Sequence, residues 1–228
     1  MIGATEERSL GEGIYALTEL QQYVAYQTRR AVGTQQVRYW LLHALTSTRH
    51  VSRRPDYTFH DLVSLFVVGE LVDAGVPPHV IRDAETHLRK SLRLSRPFAS
   101  IDIYTDGVDV LYEADPLMAD QITAANREGQ EVLRPVIQAA LRGIRYEGGT
   151  ASAWDPYPGH EGHPLVTIDP RIQFGEPCIA GTRVQTATLW AQVRTGDSET
   201  EVAASYELPA EAVRAAVEFE SELAALAS

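Results

Sequence analysis

Six arginines, Arg29, Arg30, Arg38, Arg49, Arg53 and Arg54, fall between Gln21 and Pro55, a stretch that contains no Asp or Glu and also carries His43 and His50. Guanidinium groups with no carboxylate nearby in sequence are suited to hold phosphate oxygens. The whole chain has a formal net charge of −11, so the basic stretch is a local face, and nucleic acid is the leading anion for it. A basic surface that binds a protein is the other reading of the same residues. At the opposite end, residues 197–228 hold Asp197, Glu199, Glu201, Glu207, Glu211, Glu218, Glu220 and Glu222 against Arg214 alone. Such a segment opposes DNA contact, so the two ends are expected to meet different partners, unless the acids only form a solvated helix face.

Other residue types that carry chemistry give weaker patterns. Asp155, His160, Glu161 and His163 invite a metal reading, but two histidines three apart in a Pro/Gly-rich stretch form no closed set of ligands, and neither metal nor cofactor is expected. Cys178 is the only cysteine, which excludes an intrachain disulfide and a cysteine-based zinc cluster. With no histidine near it in sequence, it is read as a small buried hydrophobe. No triad or phosphate loop has suitable spacing, so the chain is read as a binding protein and not an enzyme.

The elements that would position these residues follow from caps and periods. Thr18 with Gln21 has capping-box spacing for a first helix that runs to about Thr28. Thr34 then caps a second helix, with Val37, Trp40 and Leu41 inward and Gln35, Gln36, Arg38 and Tyr39 outward. Two short helices joined by a Gly-containing turn match a helix-turn-helix, and the stretch from Thr48 to Tyr57 reads as its β wing. In that arrangement Thr34, Gln35, Gln36, Arg38 and Tyr39 face the major groove, and Arg49, Arg53 and Arg54 hold phosphates.

Further helices start at Thr58, capped with Asp61 three positions on, and at Pro78, a favourable first helical position. The apolar period then changes to alternation. Asp106-Gly107 marks one β-hairpin over 101–112 and Gly148-Gly149 a second, with a helix interrupted by Gly129 and Pro135 between them. Asp155 to Pro164 reads as a linker. Three helices close the chain, near Thr186 to Arg194, Ser198 to Tyr206 and Pro209 to Ala227, the middle one with a Ser198/Glu201 capping box.

Composition fits a globular protein: 44% hydrophobic and 22% charged over 228 residues. The longest apolar run, Leu62 to Gly69, is far short of a membrane span, and the N-terminus has no signal-peptide core, so a cytosolic protein without membrane contact is expected.

Two stretches resemble known families. Leu17 to Leu41, with Tyr57-Thr58-Phe59-His60-Asp61-Leu62 and Ala74-Gly75-Val76, resembles the winged helix-turn-helix of MerR-type regulators. The string from Ile168-Asp169-Pro170 through Gly175-Glu176-Pro177 to Gly181-Thr182-Arg183-Val184, with the helices after it, is similar to the bacterial domain of unknown function 433, met in VapB-type antitoxins. The resemblance implies an antitoxin whose partner is a PIN-like ribonuclease toxin. On that reading Arg171 or Arg183 faces the toxin; on the plain one, the glycines and Pro177 shape a turn and Arg183 pairs with a local acid.

The expected fold is mainly α (α+β), in three parts. Residues 1–97 form a MerR-like winged helix-turn-helix, 98–160 a β-hairpin region and linker, and 161–228 a trihelical, helix-turn-helix-like antitoxin module. The expected function is an antitoxin that neutralises a PIN-like ribonuclease and represses its own operon by binding operator DNA, as a homodimer. The alternative is a MerR-like transcriptional regulator whose C-terminal half senses a small ligand.

Overall fold

A computed structural model describes residues 13–46, 57–91, 93–100, 130–159 and 163–226. The chain is mixed α+β, mostly helical, with one antiparallel sheet. In order, the elements are α1 (Leu17–Thr28), α2 (Thr34–His43), α3 (Phe59–Asp73), α4 (Pro78–Ser91), α5 (Gln130–Ala140), β1 (Ile144–Glu147), β2 (Thr150–Pro158), β3 (Pro164–Ile168), β4 (Cys178–Ile179), α6 (Thr186–Thr195), α7 (Glu199–Ser205) and α8 (Ala210–Leu226). The hairpin expected over 101–112 and all of the wing but Tyr57 lie outside the described residues.

Caps account for several helix starts. Thr58 accepts from the Asp61 amide, and the Asp61 carboxylate accepts from the Thr58 amide at 2.9 Å. Asp61 is fully buried and also ion-paired to Arg96, which follows α4. Ser198 and Glu201 form the same reciprocal box at α7. Two expected caps sit elsewhere. Helix α1 begins after Ala16, whose amide donates to the Glu19 carboxylate, so Thr18 is inside the first turn. The carboxylate is the stronger acceptor for that free amide. Helix α2 is preceded by Gly33 in an extended conformation, and Thr34 is its first helical residue.

The four strands lie in sequence order, β1-β2-β3-β4. Gly148 and Gly149, both at positive φ, turn β1 back into β2. The stretch read as a linker, Asp155 to Pro164, carries the paired ends of β2 and β3: Tyr157 sits opposite Val166, and Pro158 opposite Pro164. Pro135 stands within α5 and does not end it.

Trp154 on β2 is fully buried and ties the sheet to the helices. Its ring meets Tyr23 and Tyr26 of α1 edge-on, with centroids 5.9 and 6.1 Å away, and Phe66 of α3 at 4.8 Å. Its indole Nε1 is buried without a hydrogen-bond partner, so its contribution comes from area and ring geometry. From the other end of the chain, Phe219 packs on Tyr26 at 5.0 Å. Helix α8 therefore serves two cores. Ala215, Phe219 and Leu223 enter the large one with α1, α3 and the sheet, while Ala212, Val213 and Ala216 join Ile179, Leu189, Val202 and Ala203 in a smaller one.

Trp154→Ala should lower unfolding free energy by about 3–5 kcal/mol, the usual cost of emptying so large a buried site. Trp154→Phe should cost clearly less, because no indole hydrogen bond is lost. Urea unfolding of the two variants against wild type checks both values.

Candidate nucleic-acid interface and partner loop

Helix α2 is held from three sides. Val37, Trp40 and Leu41 are buried, as their spacing requires. The Gln21 side chain donates to the Val32 carbonyl at 2.8 Å, fixing the turn before α2. At the far end, Arg82 of α4 donates to the Leu42 carbonyl at 2.8 Å, and the buried Glu85 accepts from the Thr46 amide at 2.6 Å. What remains outward is a face of Gln35, Gln36, Arg38, Tyr39, Leu42 and His43, with Thr34 half-buried at its edge. Tyr39 and His43, one turn apart, stack with centroids 4.4 Å apart.

The arginines of the acid-free stretch divide. Arg29 lies over the Tyr26 ring and is paired with Glu222 of α8, and Arg30 meets Asp73 at 2.6 Å at the end of α3. The acids that the stretch lacks are supplied by distant segments. Part of the sequence-level basic surface is thus neutralised inside the molecule, and part of the acidic end is spent on it. Arg38 makes no ion pair among the described residues and stands on the outward face of α2. Arg49, Arg53 and Arg54 lie outside the described residues.

Sequence reasoning missed Leu42 and placed no role on His43. Leu42 is 62% exposed, although an apolar residue next to Leu41 reads as core. The signal that could have found it is the 100° helical step, which puts residue 42 beside 35, 38 and 39.

The second candidate region is the crossing between β3 and α6. Arg171 is committed locally: it donates to both Asp169 oxygens, at 3.0 and 2.9 Å, and to Glu147 at 2.7 Å. Burial alone would raise the Asp169 carboxyl, but the bonds from Arg171 hold it below its ordinary value. Arg183 is exposed and has no ion pair or hydrogen bond from its guanidinium among the described residues; its backbone carbonyl accepts from Gln173 at 3.1 Å. The two arginines are therefore chemically unlike.

Between them, Gln173, Phe174 and Gly175 take φ of 48°, 59° and 91°. The Tyr15 hydroxyl donates to the Gly175 carbonyl at 3.2 Å, and the Ile14 amide to the Phe174 carbonyl at 3.2 Å. A Cβ on Gly175 would sit 2.2 Å from that hydroxyl oxygen, so only glycine fits there. Tyr15 in turn exchanges backbone bonds with Tyr57, at 2.9 and 3.2 Å. Phe174 is left 69% exposed. Cys178 is buried and its thiol is pushed up to about 11 by burial and by Glu176, which leaves it protonated at neutral pH. Asp155 is occupied by Arg145 at 2.8 Å and Thr167 at 2.6 Å.

A shallow cavity of about 280 Å³ opens between the start of α3, the β1–β2 turn and Pro170, with His60, Glu147 and Arg171 on its wall.

Residues 166–219 match the family model described as protein of unknown function (DUF433). The matched segment runs from β3 through the Phe174 loop and ends within α8, at Phe219. The chain is also similar to a Mycobacterium tuberculosis protein named "Putative antitoxin VapB45", 26% identical over 169 residues and covering 70% of each chain. It is 32% identical over 107 residues to an uncharacterized HTH-type transcriptional regulator of Mycobacterium bovis, and to one of Mycobacterium tuberculosis, covering 42% of this chain and 45% of theirs. The crystal structure of Rv2018 from Mycobacterium tuberculosis superposes with a TM-score of 0.69 at 24% identity, over 89% of this chain and 96% of that one. That likeness is one of fold. The names of these sequence relatives are those of non-enzymatic proteins, an antitoxin and regulators of transcription. Among the described residues, no helix is long and apolar enough to cross a membrane.

Arg171→Ala should destabilise the fold by about 1 kcal/mol at neutral pH, a small figure because the arginine is half exposed. The lowered Asp169 value means the pair contributes above the unfolded carboxyl's pKa of about 3.9 and loses its contribution as pH falls through the folded value. Urea unfolding of wild type and variant should show a gap at pH 7 that closes in acid.

Proposed function

We propose that the chain is a DNA-binding antitoxin: α1 and α2 act as a helix-turn-helix with the 48–57 segment as its wing, and the DUF433 segment engages a ribonuclease toxin. The observation that carries the DNA half is the outward face of α2. Gln35, Gln36 and Arg38 carry the amide and guanidinium groups that bond adenine and guanine edges in pairs, and Tyr39 and Leu42 offer apolar surface of the kind that meets thymine methyls. Arg38 has no competing acid among the described residues, so its charge is available to DNA. Arg49, Arg53 and Arg54 are assigned to phosphates on charge alone. The names of the relatives support both halves: an antitoxin, and regulators of the HTH type.

On this reading the protein represses its own operon as a homodimer and is MerR-like in its first 97 residues. The toxin is of the PIN-like class. The division at 97 and 160 is one of partners and not of packing, since α8 and α1 share a core. Of the two arginines expected to face the toxin, Arg183 is the one with a free guanidinium, and Arg171 shapes the loop from behind.

Ligand sensing by the C-terminal half is the weaker reading. The cavity beside Arg171 is wide enough for a small molecule, but its guanidinium is already bonded to Asp169 and Glu147.

The DNA reading is tested with the full chain and the DNA upstream of its own gene. Arg38→Ala should weaken binding by about 1–3 kcal/mol and flatten the salt dependence by about one phosphate contact. Unchanged affinity in Arg38→Ala and in Gln35→Ala together would remove α2 as the reading helix. Point variants are the right tool, because a truncation that removes α8 would also strip Phe219 from the α1 core.

A further inference from the structure

The large apolar side chains left exposed among the described residues are Ile14, Tyr39, Leu42 and Phe174. They fall into two pairs. Tyr39 and Leu42 share the α2 face already discussed. Ile14 and Phe174 come from segments 160 residues apart in sequence and are joined by the Ile14 amide to the Phe174 carbonyl. This second pair belongs to no site described above.

Phe174 is exposed and also held in an unfavourable backbone state. An aromatic residue at φ 59° sits in the left-handed region, which costs on the order of 1 kcal/mol for side chains other than Gly, Asn or Asp. Burial does not repay this, since the ring is mostly in solvent. The conformation is imposed from below by Tyr15, whose hydroxyl and ring fill the space under Gly175. The outcome is a rigid loop that presents one aromatic ring outward, with Ile14 beside it. Immediately adjacent, Gln173 bonds the Arg183 carbonyl, so the unpaired guanidinium of Arg183 is tied to the same loop.

A rigid, pre-ordered aromatic beside an unpaired arginine has the composition of an interface anchor. We infer that Phe174 inserts into an apolar pocket on the protein partner whose rim carries carboxylates, and that Arg183 pairs with that rim. The occupant follows from charge. In a chain of net charge −11, a loop whose one free ion is a cation selects an acidic surface and disfavours another copy of this chain's acidic helices being recruited elsewhere. The inference rests on the reading that the DUF433 segment meets a protein toxin, and it names the contact and its chemistry.

The test uses the full chain and the protein encoded beside its own gene, co-expressed and purified. Phe174→Asn removes the ring while supplying a residue that tolerates positive φ, so the melting temperature should stay level or rise. Affinity for the partner should nevertheless fall by about 30-fold or more, as for a central anchor. Arg183→Ala should weaken binding by about 5- to 10-fold and reduce its salt dependence. Binding to the upstream DNA should be unchanged in both variants. If wild type forms no complex with the neighbouring protein, the toxin reading fails and this inference with it. A wild-type complex that both variants match within about twofold overturns the inference alone. Variants that change only the sedimentation of the isolated chain would make the patch a contact between copies, which also overturns it.

Discussion

The packing of Trp154 against α1 and α3 is the contact on which the rest of the molecule depends. One buried ring joins the sheet to both Tyr23 and Tyr26 and to Phe66, and Tyr26 passes the contact on to Phe219 of α8. Sheet, N-terminal helices and C-terminal helix meet around a few aromatic side chains. Because interiors are close-packed, none of these elements can shift without disturbing the others. The α2 face and the Phe174 loop are therefore fixed relative to one another through the same core.

Charge behaves in a way that composition conceals. The basic stretch and the acidic tail look like two poles, yet Arg29 closes onto Glu222 and Arg30 onto Asp73. These exposed pairs add little stability. Their larger effect is on the field at α2, which is left to Arg38 and whatever lies beside it and not to the whole run of arginines. A short patch of positive potential suits a protein that must find particular base edges, where a broad one favours indiscriminate binding.

Much of this was legible in the sequence where the cause is local. The Thr58/Asp61 and Ser198/Glu201 boxes, Pro78 at the start of α4, the Gly148-Gly149 turn and the buried ridge of α2 each follow from residues within one turn of each other. What escaped has a distant cause. Nothing near Thr18 reveals that Glu19 reaches back to Ala16, and nothing near Asp155 reveals that β2 continues there because β3 pairs with it. Arg171 was half legible: Asp169 stands two residues away, but Glu147 comes from another strand. Phe174 was illegible for a physical reason, because a phenylalanine is normally counted as core and its exposure depends on Tyr15 lying beneath the loop.

Helix α8 bears on how far the DUF433 segment is portable. The family match ends at Phe219, a residue whose ring lies outside the small C-terminal core and against Tyr26. The segment therefore travels with an unmet need: one side of its last helix closes its own three-helix cluster, and the other is finished only by a host that supplies a groove. Proteins that share this segment are constrained in what can precede it, because the preceding region must complete α8 as well as carry out its own task.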